Sequence, residues 1–378
     1  MNILYLGSLT SYVTQNDVDI FRGMGHEITI LSPYPIPRNP ESGLIRFENI
    51  INLYDQKRLS ILYSAIGGTF THILLSTLRH RKGFLKEVIK GRQIDLIYAT
   101  WGANMIPMVQ VFQKEKIKVP IIYNFLSYPQ NVYRWKVFLE NWYSRKPIEN
   151  LDARIHATKS MYCYMDHHFD LGKHGLDIVM IPFFSRSYSY KTRLPVLSEN
   201  DAAPHVVFIG PVNLSWDDIR QEIYRITREK THFHMTQTNV PIKNNPYLHF
   251  FPYFPLQRLI DGSLATFMTQ FDACIVLFNF EVCSCMDRFY TSFPSRFLFA
   301  LNAGIPIVMP RGYLPACEGF VNEHQIGFAY SNLTQLKEML SDANLMRRYR
   351  RNAINKTADF TYEKNFRKLN ELIKSVTS

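Results

Sequence analysis

Pro294-Ser295-Arg296 opens an apolar stretch that runs through Phe297, Leu298, Phe299, Ala300 and Leu301 and stops at Gly304. Proline suits the entry to a helix and Ser295 suits its cap or first turn. The unpaired amides of such a helix start favour a diphosphate. Arg296 opposes the helix dipole there, at a cost of a few tenths of a kcal/mol, so its position points to an anion that offsets it. Two further strand-end turns, Gly7-Ser8 and Gly210-Pro211, let backbone amides approach an anion. Neither is a GxGxxG or Walker A sequence, which removes the best support for a dinucleotide oxidoreductase or an ATPase.

Metal chemistry finds little support at the level of spacing. His167 and His168 are adjacent, and His26 falls in a turn. His232 and His234 share a strand face but have no acidic or cysteine partner nearby in sequence, and Cys283-Ser284-Cys285 lacks a second ligand pair. We therefore expect no protein-bound metal. Five cysteines in 378 residues are read as free thiols in a reducing compartment.

These residues must be positioned by α/β units. Ile3 to Leu6 is a short apolar run ending at Gly7; Asn16 to Met24 suits a helix, and Gly25 to Leu31 a second strand. That is a βαβ unit. Further strands are expected at Leu96–Tyr98, Pro120–Tyr123, Ala153–Ala157 and Ile178–Ile181. The mixed stretch Ser185–Pro204 reads as a linker. The pattern then restarts with a strand from His205 to Gly210 and a helix over Asp217–Arg228, whose Ile219, Ile223 and Ile226 share a face. Thr231–Met235, Ala273–Leu277 and Ile305–Met309 suit strands, and Ser295–Asn302 a helix. The reading is an N-terminal domain over 1–190, a C-terminal domain over 191–358 and a terminal helix over 359–378. Both domains are Rossmann-like and doubly wound, facing each other across a cleft, with ligands at the carboxyl ends of the strands.

Pro294 to Val308 resembles the nucleotide-binding signature of the GT-B glycosyltransferases, especially a branch of the family-4-like group that reads approximately PSKLFEYLAAGKPVI. Ile3–Gly7 and Gly25–Leu31 are similar to that group's first two strands, and His156–Ser160, Ile181-Pro182 and His205–Gly210 resemble later segments in the same order. The resemblance implies a GT-B fold and transfer of a sugar from a nucleoside-diphosphate sugar. The donor would be held mainly by the C-terminal domain, with Pro294, Ser295 and Arg296 near its diphosphate or ribose and Gly210 and Gly7 bordering it. Many such enzymes need no metal, because helix termini and basic groups take the leaving charge. The acceptor would be a glycan or a lipid-linked sugar, as in surface polysaccharide assembly.

Three positions depart from the family pattern. A glutamate commonly stands five residues before the helix-ending glycine, where this chain has Phe299; Glu281 is too far away to match its upstream partner. A histidine commonly follows the strand matching Pro120–Tyr123, where Asn124-Phe125-Leu126-Ser127 stands instead. An inverting reaction would need a base in the N-terminal domain, and Asp17, expected with Asp19 at or just after the loop following strand one, is the candidate. Trp101, Asn104, Asn124, Ser127 and Tyr128 follow expected strand ends and could line the acceptor site. Two other readings stand: a catalytically degenerate GT-B subunit bound to an active partner glycosyltransferase, and a sugar-nucleotide epimerase of the same architecture.

Composition fits these readings. With 46% hydrophobic residues the chain can bury real cores, and 43 Lys and Arg against 32 Asp and Glu give a net charge of +11 that suits anionic partners. Arg79, Arg81, Lys82, Lys86, Lys90 and Arg92 form a basic cluster interleaved with Phe84, Leu85, Val88 and Ile89, which suits an anionic membrane surface. No nucleic-acid motif accompanies it. Ile61–Leu78 carries too many polar residues to span a bilayer, and the N-terminus has no basic segment or cleavage site of a secretory signal. The expected location is the cytoplasm, peripheral on the cytoplasmic membrane face.

Overall fold

The structure is a computed structural model, and it describes residues 1–9, 11–32, 50–52, 89–101, 105–212, 216–238, 241–243 and 245–378. The stretch 61–78, most of the basic cluster over 79–92, and Asn104 lie outside the described residues. The chain packs as two compact units, Met1–Ile181 with Asn365–Ser378, and Pro182–Lys364.

The first unit holds a seven-stranded parallel sheet made of β1 (Asn2–Leu6), β2 (Glu27–Ser32), β3 (Ile50–Asn52), β4 (Leu96–Trp101), β5 (Ile121–Phe125), β6 (Ala153–His156) and β7 (Leu176–Val179), in the order β3-β2-β1-β4-β5-β6-β7. Ile3, Leu4, Tyr5 and Leu6 are all fully buried, which requires cover on both faces and explains why the strand is an unbroken apolar run. Helix α1 (Tyr12–Gly23) supplies part of that cover. It begins four residues before the expected Asn16 because Ser11 caps it, its hydroxyl accepting from the Val13 amide. Asp17 therefore sits inside the helix, not at or just after the loop that follows β1. Helices α2 (Ile106–Lys114), α3 (Arg134–Glu149) and α4 (Lys159–His168) follow, the last capped by Thr158, whose Oγ1 accepts from the Met161 amide.

The second unit repeats the plan with six parallel strands: β8 (His205–Phe208), β9 (His232–Thr236), β10 (Leu248–Phe251), β11 (Ala273–Ile275), β12 (Ile307–Pro310) and β13 (Gly327–Tyr330). Their order is β10-β9-β8-β11-β12-β13. Helix α5 (Arg220–Arg228) lays Ile223 and Ile226 onto Val206, Phe208 and Phe233. Helix α6 (Ser263–Met268) precedes β11, and α7 (Ser295–Ala303) joins β11 to β12. Gly304 ends α7 at φ +58, and a Cβ there would come 2.8 Å from Thr357 Oγ1, so a bulkier residue is excluded twice over. Helices α8 (Pro315–His324), α9 (Leu333–Ser341), α10 (Ala343–Lys356) and α11 (Tyr362–Thr377) complete the chain.

The stretch read as a linker is packed instead. Tyr188 is buried, the Lys191 and Leu194 amides donate to the Thr266 and Thr269 hydroxyls, and the Leu197 amide donates to the Gln270 carbonyl. Its polar side chains largely face solvent, while its backbone is tied to α6 and the turn after it.

Candidate functional site

In an open parallel sheet, the crevice for a ligand forms where the chain reverses its direction of strand addition. That point lies between β1 and β4 in the first unit and between β8 and β11 in the second. Gly7 and Asp17 lie at the first of these places, and Gly210 and Arg296 at the second.

At the carboxyl end of β8, Gly210 adopts φ +131, a conformation that favours glycine, and a Cβ on it would lie 3.2 Å from Arg296 Nη2. The Arg296 side chain is 7% exposed, and its guanidinium carbon stands 4.3 Å from the ring centres of both Phe208 and Phe278. Its Nη1 donates to the Leu277 carbonyl at 2.6 Å, and Nη2 lies 3.6 Å from Asp217 Oδ1. The anion that offsets this arginine thus includes a carboxylate of the chain itself. Burial raises the Asp217 carboxyl above its ordinary value, against the pull of Arg296 and Arg288. Ser295 is exposed at the first position of α7, and Pro294 precedes it without a side-chain cap.

Beside this cluster a depression of about 1050 Å³ opens at the carboxyl ends of β11, β12 and β13 and beside α5. Leu277 and Phe278 are shared by both features. Across the depression Phe280 and Tyr313 stack with ring centres 4.3 Å apart, and Arg220 and Arg311 bring positive charge to its lining. An aromatic floor beside cations suits a ligand with a flat ring and anionic groups. Sequence reasoning missed Asp217, Phe278, Phe280 and Tyr313, because they follow three different strands, β8, β11 and β12, and only the sheet order brings them together.

In the first unit the Tyr5 hydroxyl donates to Asp17 Oδ2 at 2.8 Å. A Cβ on Gly7 would run into the Tyr5 ring and come 2.8 Å from Thr14 Oγ1, so the missing side chain makes room for that ring. The Thr14 and Thr100 hydroxyls are buried and have no hydrogen-bond partner among the described residues. Asp17 is 2% exposed, and burial raises its carboxyl to about 7 against the hydrogen bonds from Tyr5 and Asn16.

That raised value has a measurable sign. The unfolded chain ionises Asp17 near 3.8, whereas the folded chain holds the proton to about pH 7, so this group lowers stability progressively as pH rises across that interval. The loss is at most ~4 kcal/mol at 1.36 kcal/mol per unit. Asp17→Asn should flatten the stability profile between pH 4 and 7 and exceed the parent at pH 8, read from denaturant midpoints. Parallel profiles would show that Asp17 is not the titrating group.

Other acceptor-site candidates fare differently. Asn124 is buried within β5 and does not follow its end, and Tyr128 is fully buried, its hydroxyl donating to Asn141 Oδ1 while its ring packs on Phe125 and Phe169. Tyr128 is core. Ser127 is half-buried and accepts from Gln130. Phe299, at the position of the expected glutamate, is buried with its ring centre 4.8 Å from that of Phe184.

No protein-family model and no curated protein sequence matches the chain. Solved structures do. A sucrose-phosphate synthase from Thermosynechococcus elongatus superposes with a TM-score of 0.71 at 11% identity, over 100% of this chain and 99% of that one. HepE from Anabaena in complex with UDP-glucose gives 0.66 at 10% identity over 99% and 100% of the two chains. The pneumococcal O-GlcNAc transferase GtfA, in complex with UDP and GlcNAc, gives 0.64 at 9% over 100% and 99%. The likeness shows the fold: this chain has the GT-B architecture, with two Rossmann-like domains, as the signature at Pro294–Val308 implied.

Proposed function

We propose that the protein is a glycosyltransferase that moves a sugar from a nucleoside-diphosphate sugar to a glycan or lipid-linked acceptor. The observation that carries this reading is the fixed guanidinium of Arg296 at the strand-order reversal of the second unit, beside Gly210 and the start of α7. Complexes of the similarly folded HepE with UDP and with UDP-glucose support the donor class. The donor diphosphate would take hydrogen bonds from the amides at Gly210 and Ser295, with Arg296 supplying charge held in place by Asp217 and the two rings. A guanidinium already desolvated and clamped needs no reorganisation as the leaving group gains charge.

In the transfer step an acceptor hydroxyl oxygen bonds to the anomeric carbon while the bond from that carbon to the diphosphate breaks. The nucleoside diphosphate leaves as an anion, and a base takes the hydroxyl proton. Asp17 is the proposed base, for an inverting outcome. A carboxyl near 7 is matched to proton transfer at neutral pH. Asp17→Asn should then abolish turnover with donor affinity nearly unchanged. The protein's own groups take the leaving charge in this scheme, so no metal or other cofactor enters it.

Calorimetric titration with UDP, GDP and their sugar conjugates tests the reading. Saturable binding of one nucleotide series, followed by its release from the sugar in an acceptor screen, is the expected result. One observation favours a second reading, a subunit that supports an active partner glycosyltransferase: Phe299 fills with a buried ring the position where a carboxylate is expected. A folded sample that binds no nucleotide would select that reading.

A membrane-bound acceptor is supported by α3. Trp135, Phe138, Leu139 and Trp142 recur at the spacing of one helix face and are 62%, 68%, 40% and 70% exposed. Exposed Arg134, Arg145 and Lys146 accompany them. Two tryptophans beside basic residues suit the interface of an anionic bilayer. Among the described residues no helix is long and apolar enough to cross a membrane. Replacing Trp135 and Trp142 together with alanine should reduce partition onto phosphatidylglycerol vesicles at least tenfold without altering stability, because both rings stand in solvent. Undiminished partition in a sedimentation assay would remove α3 from the account.

A further inference from the structure

Four histidines that are scattered in sequence converge on one face of β8, β9 and β10. His205 pairs in register with His232, and His234 with His249. The His205 and His232 rings stack with centres 4.3 Å apart, and those of His234 and His249 at 4.5 Å. Asp201, in the short helix Ser198–Asp201 just before β8, reaches both of the first pair. Its carboxylate lies 3.0 Å from His205 Nε2 and 3.4 Å from His232 Nε2. The acidic partner that His232 lacks in its own neighbourhood of the sequence is thus supplied 31 positions upstream.

We propose that Asp201, His205 and His232 form a binding site for one divalent transition metal ion of the zinc class. The first argument is geometric. Tetrahedral ligands at zinc bond lengths of about 2.0–2.1 Å stand about 3.3 Å from one another. The two carboxylate–imidazole separations already have that size, and one ligand atom from each of the three residues lies within 4.8 Å of the others. A modest tilt of the two stacked rings closes the remaining edge, and solvent reaches the fourth position past Asp201, whose side chain is 42% exposed.

The second argument is the outer shell. Metal-binding imidazoles are usually held by a hydrogen bond at the other ring nitrogen, which fixes the tautomer and the ring plane. Both have one here: His205 Nδ1 lies 2.8 Å from His234 Nε2, and His232 Nδ1 lies 2.7 Å from His249 Nε2. With protons on the two Nδ1 atoms, both Nε2 lone pairs face the Asp201 carboxylate, an arrangement that repels without a cation and binds with one. Two imidazoles and a carboxylate favour zinc over magnesium or calcium, which take oxygen ligands. His205 and His232 open β8 and β9, at the amino end of the sheet and opposite the nucleotide site proposed above. An ion there would clamp the segment around Asp201 to the sheet.

The test is titration of chelator-treated, full-length protein with zinc chloride, with cobalt(II) as the spectroscopic probe. The expected result is one equivalent of zinc bound per chain, a tetrahedral cobalt band in visible absorption, a rise in melting temperature with zinc and no response to magnesium or calcium. Asp201→Asn changes an exposed side chain, so it should fold normally and weaken zinc binding at least tenfold. His205→Ala with His232→Ala should abolish binding, whereas His167→Ala with His168→Ala should leave it intact. Absence of stoichiometric zinc uptake by the parent protein, or uptake of unchanged affinity by Asp201→Asn, would overturn the proposal.

Discussion

Replacing Arg154 with alanine is expected to lower the unfolding free energy of the protein by about 3–5 kcal/mol, the range found when one partner of a buried ion pair is removed. The residue is fully buried at the junction of β6 and β7. Its guanidinium grips Asp177 through two 2.8 Å contacts and donates to the carbonyls of Ile148, Leu171 and His174. Alanine would remove all five of these hydrogen bonds at once, leaving Asp177 with His156 at 2.7 Å and the Ile148 carbonyl with the Leu151 amide. The pH dependence has a definite sign. Burial alone would raise the Asp177 carboxyl, but hydrogen bonds and charge from Arg154 and His156 hold it below its ordinary value. Its stabilisation is therefore present above the unfolded value near 3.8 and is lost as pH falls through the lower, folded value. Arg154→Ala should weaken that acid-side dependence, because only His156 then opposes burial, as well as lower the midpoint in denaturant. A variant with the parent's midpoint would show that these contacts are not made.

Arg296→Ala is expected to have the second large effect, on stability and on ligand binding together. The loss removes a buried donor from the Leu277 carbonyl and strips a cation from between two aromatic rings. It also leaves Asp217, 15% exposed, without its nearest positive charge. These amount to about 2–4 kcal/mol of destabilisation. Nucleotide affinity should fall at least a hundredfold if the diphosphate depends on this charge. Arg296→Lys keeps the charge but cannot reproduce the planar donors or the stacking between Phe208 and Phe278, so it should recover only a minor part of either loss. Arg296→Ala with parental nucleotide affinity would restrict this arginine to packing.

Much of this frame was readable in the order of residues. Ile3–Leu6 and His205–Phe208 are apolar runs bounded by glycine, and buried parallel strands leave that trace because both faces are covered. Helix α7 was legible for another reason: Pro294, Ser295 and Gly304 mark its two ends by their own backbone preferences. Strands β10 and β13 were not anticipated, since Leu248–Phe251 and Gly327–Tyr330 are four residues long and carry no strong period.

The misreadings have specific causes. Helix α3 went unread because it buries polar Glu140 and Ser144 while exposing Trp135, Phe138 and Trp142, so side-chain polarity does not track its buried face. Asp17 was placed in or just after a loop because the cap at Ser11 is less conspicuous than the polar residues at 15–17. Long-range partners were beyond reach. Asp217 lies 79 positions from Arg296, and Asp201 meets His232 only because β8 and β9 are neighbours in the sheet. Side-chain type announced the chemistry, but pairing across strands decided which groups could act together.

The account rests on a nucleoside diphosphate seated at the carboxyl end of β8, and a crystal structure of the protein with UDP or GDP measures that directly. The predicted result is diphosphate density against the Gly210 amide, the exposed start of α7 at Ser295 and the Arg296 guanidinium, with the base beside Phe280 and Tyr313. Nucleotide density elsewhere on the molecule, with those groups still packed only on one another, would contradict it.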